Sequence, residues 1–107
     1  MSLPGLLPRS LKEEVVITMD QAEWAWLKPH LQRDALIWVG DSLELLQVAR
    51  EVASNETQKI QTHVTAGQVS KPSAEQIEAW DLEPSKKFNV VIVQPFVLIQ
   101  EIKSVLH

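Results

Sequence analysis

The sequence predicts one α+β domain, in which a small two- to three-stranded sheet is covered by three to five helices. Three observations predict it. Two short β-branched runs, ALIWV (Ala35–Val39) and KFNVVIV (Lys87–Val93), read as strands. Around them, cap-like spacings precede segments with helical periodicity. The chain has 107 residues, 45% of them apolar, enough for one core that buries about two-thirds of the unfolded surface. The domain is placed at residues 10–107, behind a loose arm at 1–9 broken by Pro4, Gly5 and Pro8.

In chain order, Leu11 and Val15 allow a short helical turn over Ser10–Val16. Asp20 and Glu23 have capping-box spacing, and Trp24, Leu27 and Leu31 form one stripe behind them. Pro29 removes a hydrogen bond and disfavours helical geometry at Lys28, which predicts a kink or restart. After the Ala35–Val39 strand, Asp41 and Glu44 cap a helix with Leu45, Val48, Ala49 and Val52 on its apolar face. Glu44, Gln47, Glu51 and Ser54 fall on the opposite side. Asn55 with Gln58 opens a helix over Asn55–Ala66 with a thin stripe, Ile60 and Val64, and Gly67 ends it as a left-handed cap. QVSK reads as briefly extended, Ser73 with Gln76 caps a helix that buries Ile77 and Trp80, and Pro84 closes it.

The segment after Pro95 reads two ways. A tight hairpin is disfavoured, because Gln94-Pro95-Phe96 offers no residue suited to positive φ. Either the strand runs on, with Pro95 at an edge or bulge, or Pro95 begins a helix. The β-branched and aromatic content of FVLI favours extension. Leu98, Ile99, Ile102, Val105 and Leu106 would form a helical stripe, and the spacing beyond Ile99 favours helix.

Several chemistries are excluded or weakened. The chain has no cysteine, so disulfides, zinc–thiolate sites and cysteine nucleophiles are out, in keeping with a reducing compartment. Three glycines cannot write a phosphate-cradling loop or a dinucleotide fingerprint. His30, His63 and His107 lack ligand-like spacing and read as exposed helix residues. No serine has a nucleophile-elbow setting. Carboxylates at a helix N-terminus, as at Asp41 and Glu44, are held ionised by the dipole, the wrong direction for a general acid. No metal, cofactor or catalytic residue is therefore assigned. The first residues do not read as a signal peptide, and no apolar run approaches the length of a membrane span.

The net charge is −4 and the basic residues are dispersed, which argues against nucleic acid. One local pattern argues the other way. The two helices around Ala49 resemble a helix-turn-helix, but Glu56 leads the would-be reading helix and Lys59 is its one basic residue. Trp24, Trp38 and Trp80 read as core. Trp26 falls off the stripe and becomes a contact candidate. Glu101, awkward if fully buried after an apolar run, is a candidate polar site at the core's edge, paired with Lys103 or Lys71.

The order of motifs resembles a bacterial family catalogued as domain of unknown function 2288. The stretches that carry the resemblance are Trp24 to Leu27, ALIWV, ELLQVA, AGQVSKPSAEQIEAW and VVIVQPFVLIQE, from about Ser10 to Glu101. Glu44 and Phe96 depart from the family's aspartate and tryptophan. Lys71, Trp80, Pro95, Gln100 and Glu101 match motif positions. The resemblance implies a bacterial, cytoplasmic protein and brings no activity, cofactor or partner.

The expected function is a non-enzymatic interaction module that self-associates through its apolar C-terminal segment, or contacts another protein. Trp26, Lys71, Phe96, Gln100 and Glu101 are the candidate binding residues. The alternatives are a helix-turn-helix-like nucleic-acid binder and a small enzyme using Glu101. A membrane partner is not expected.

Overall fold

A computed structural model describes residues 17–102. The expected arm at 1–9, the turn over Ser10–Val16, His107 and the stripe positions Val105 and Leu106 lie outside the described residues. Strand β1 (Asp20–Glu23) leads into a short helix α1 (Trp24–Leu27) and a 3₁₀ segment (Lys28–Arg33). Then follow β2 (Leu36–Val39), α2 (Leu45–Ala53), α3 (Thr57–Thr65), β3 (Val69–Ser70), α4 (Ala74–Asp81), β4 (Lys87–Val93) and β5 (Phe96–Glu101).

The strands form one five-stranded mixed sheet in the order β1-β4-β5-β2-β3. Only the β2–β5 pair is parallel. This corrects the expected two- to three-stranded sheet. Asp20–Glu23 is polar and Val69–Ser70 is two residues long, so neither shows a strand's apolar alternation. Both sit at sheet edges, where short, charged strands are favoured. At Asp20 and Glu23 the cap-like spacing misleads. Glu23 makes no side-chain cap bond, and the first amides of α1 are satisfied elsewhere: Trp24 and Ala25 donate to the carbonyls of Lys86 and Pro84 at 2.8 and 3.0 Å.

Other expectations hold. Ser73 and Gln76 form a complete reciprocal cap, with bonds of 3.1 and 2.9 Å. Gly67 ends α3 at φ 77°. At Pro29 the helix changes from α to 3₁₀, as the proline requires. Asn55 does not open a helix. It turns the chain between α2 and α3 at φ 58°.

The segment after Pro95 is extended, and the disfavoured hairpin is what forms. β4 and β5 pair antiparallel from Phe88–Glu101 to Val93–Phe96, and the reversal at Gln94–Pro95 runs through a cis peptide bond. Neither turn residue has positive φ, so the usual turn signal was never required. β5 is the middle strand, hydrogen-bonded on both sides, and Val97, Leu98 and Ile99 are buried in succession. Strands covered on both faces read as continuous apolar runs. Of the apolar residues expected to be surplus after Pro95, Val97, Leu98 and Ile99 are thus buried within one chain, while Ile102 is exposed.

Alternation along the strands divides the core into two layers. On one face, Trp24, Leu27 and Trp80 pack on Leu36, Phe88, Val90, Val97 and Ile99. Trp80 meets Trp24 and Phe88 edge-on at 5.0 and 4.8 Å between ring centres, worth about 0.5–1.5 kcal/mol per pair beyond area. On the other face, Leu45, Val48 and Ala49 of α2 pack on Val39, Val69, Val91 and Leu98. The Trp24 Nε1–H donates to Asp81 Oδ1 at 2.8 Å, and Lys28 Nζ reaches Asp81 Oδ2 at 3.0 Å. The indole donor first, then the ammonium, pull the Asp81 pKa below the usual aspartate value.

Two measurements check this arrangement. Leu98→Ala is expected to cost about 2–5 kcal/mol in urea denaturation, while Ile92→Ala, on the same hairpin but 58% exposed, costs much less. Asp81→Asn removes an ion whose folded-state pKa is lowered, so its stabilisation is present above aspartate's ordinary value of about 3.9 and lost as pH falls through the folded-state value. The melting points of wild type and Asp81→Asn should therefore differ at neutral pH and converge in acid. A constant gap at all pH values contradicts the assignment.

Candidate functional site

Trp26 points off the α1 stripe because Trp24 and Leu27 take the core-facing positions, leaving the third side chain 72% exposed. Beside it lies a cleft of about 300 Å³ between the α1–3₁₀ segment and the sheet. Ala22, Val90, Ile92 and Val97, from β1, β4 and β5, form its apolar floor. Trp26, Leu27 and His30 line it from the helical side, and Thr18 and Asp20 complete the lining. Two exposed large apolar side chains therefore line it, Trp26 and Ile92, the latter on the hairpin and 58% exposed.

The polar groups of the cleft have distinct roles. Arg33 Nη2 donates to His30 Nδ1 at 2.9 Å. Because a guanidinium only donates, Nδ1 is the acceptor in this contact. Asp20 has no ion-pair partner among the described residues.

The five sequence-selected residues do not converge. Trp26 lines the cleft. Phe96 is half-buried against the α2 layer. Gln100 Nε2 donates to the carbonyls of Gly40 and Leu43, both at 2.8 Å, pinning the loop after β2 to the central strand. Glu101 pairs with Lys86 at 3.6 Å, not with Lys71, and borders the core opposite Phe88, while Lys103 lies outside the described residues. Lys71 pairs with Asp34 at 2.8 Å on the surface. The cleft's lining includes neither Glu101 nor Lys71.

A second polar cluster joins the helical hairpin. Glu51 is 5% exposed, accepts from His63 Nε2 at 2.9 Å and from Gln47 Nε2 at 3.2 Å. Helical spacing puts Glu51 opposite the apolar stripe, and that much is correct. The burial comes from α3 folding over that side, which no local pattern reports. His63 is thus half-buried and paired, where the sequence reads an exposed residue. In the same hairpin Ala49 faces the sheet, and Lys59 is already paired with Glu56 at 3.0 Å, leaving the helix-turn-helix reading without a free cation on α3 among the described residues.

Among the described residues no group of three or more acidic or histidine side chains could hold a metal, and no helix is long and apolar enough to cross a membrane. The class defined here is a small protein with a mixed five-stranded sheet, helices on both faces and one apolar cleft beside an exposed tryptophan. The chain belongs to a family of proteins of unknown function, DUF2288, which it matches over residues 10–101. It is similar to PA1075 from Pseudomonas aeruginosa, whose NMR solution structure superposes with a TM-score of 0.71. That match has 29% sequence identity and covers 100% of this chain and 96% of the other. No curated protein matches the chain.

His63→Ala leaves the Glu51 carboxylate buried with Gln47 alone, and is expected to cost about 1–3 kcal/mol in urea denaturation. Lys59→Ala, which removes an exposed pair, should leave the midpoint nearly unchanged.

Proposed function

We propose that the protein is a non-enzymatic interaction module whose contact site is the cleft beside Trp26, into which a partner protein places one side chain. The observation that carries this reading is the exposure of Trp26 and Ile92 around a cavity with an apolar floor. Exposed tryptophan is enriched where partners bind, and contiguous exposed apolar surface marks contact sites. The cavity, about 300 Å³, is at the lower bound of small-molecule sites, a volume suited to one side chain more than to a cofactor. Self-association through Phe96–Glu101 forms no part of the proposal, because that strand is interior.

A panel of capped tripeptides, acetyl-Ala-X-Ala-amide with X running through the common side chains, tests the reading by NMR titration of the labelled protein. At least one X should move the Trp26 indole resonance together with the amides of Ala22 and Ile92. Trp26→Ala should abolish that response while changing stability by no more than about 0.5 kcal/mol. Shifts confined to other surfaces, or none, overturn the reading.

A further inference from the structure

We infer that the side chain received by this cleft is a basic one, the lysine or arginine of a partner protein. The inference rests on the cleft being a contact site and adds the chemistry of its occupant. Three features converge on a cation with an apolar stem. The floor of Ala22, Val90, Ile92 and Val97 suits a methylene chain, which long basic residues bury while keeping their charge near water. Trp26 presents its indole beside that floor, and an aromatic face attracts an ammonium or a guanidinium. Asp20 supplies the one carboxylate among the described residues of the lining, and no cation of the described residues pairs with it. His30 completes the polar lining, and Arg33, which donates to its Nδ1, lies outside that lining.

Charge also selects among occupants. The chain carries a net charge of −4, which favours a basic partner over an acidic one. A second copy is disfavoured at this edge. Symmetric antiparallel pairing of two β1 strands sets Asp20 of each against Glu23 of the other, and directly opposed like charges destabilise a sheet. The occupant is therefore a different protein with an exposed basic residue.

The test compares four capped tripeptides on the full-length labelled protein, with X as arginine, lysine, citrulline or norleucine. Citrulline keeps the shape of arginine without its charge, and norleucine keeps the stem of lysine. Arginine and lysine should bind at the cleft at least about fivefold more tightly than their neutral counterparts, and added salt should narrow the difference. Asp20→Asn, at an exposed position, should bring arginine to the level of citrulline in a protein that stays folded. Equal or tighter binding of the neutral peptides at the same resonances overturns the basic occupant and leaves the cleft as a contact site. If no peptide moves those resonances, both readings fall.

Discussion

Val97, Leu98 and Ile99 are shut off from water on both faces of β5, and the other elements are arranged to achieve that. A strand so covered needs a hydrogen-bonded neighbour on each side, because its backbone groups have no access to water. β4 supplies one through the hairpin, and β2 supplies the other in parallel, beginning with Val97 N–H to Ala35 O at 2.9 Å. The strand also needs a helical layer on each face. α1 and α4 provide one through tryptophan, and α2 provides the other through leucine, valine and alanine. Gln100 then fixes the loop that launches α2 to the same strand. The two cores share one sheet and cannot be loosened independently of it.

The cleft follows from how that covering ends. The helical layer on the Trp24 face lies over Phe88, Val90 and Ile99, and Ile92 remains open near the hairpin. Pro29 contributes to this. The helix continues there as a 3₁₀ segment, which carries His30 into the cleft's lining. The tryptophans divide accordingly. Trp24 and Trp80 hold the layer down, and Trp26, two positions from Trp24, is left at the surface where the layer stops.

How much was legible follows from whether a signal was local. The Ser73–Gln76 cap, the left-handed Gly67, the Leu45–Val48–Ala49 face and the Lys87–Val93 strand each depend on residues close in sequence, and each reads correctly. β1 does not read, because Asp-Gln-Ala-Glu carries the spacing of a cap and its strand pairing depends on Asn89 and its neighbours, far along the chain. The hairpin was disfavoured for lack of a positive-φ residue, and the turn needs none. In the site, Trp26 was found because it falls off its own stripe. Asp20 and His30 carried no signal, since only the folding of β1 onto β4 brings them to Ile92. The apolar run at Val97–Ile99 carries no local sign of its place: a run buried on both faces within one chain has the same composition as a run waiting for a partner.

Native-state amide hydrogen exchange tests the central role of β5 most directly. If the account is right, the amides of Val97, Leu98 and Ile99 exchange only through global unfolding, at a rate independent of protein concentration. Exchange of these amides well below the global unfolding free energy, or protection that grows with concentration, would show that the strand is not secured inside a single chain.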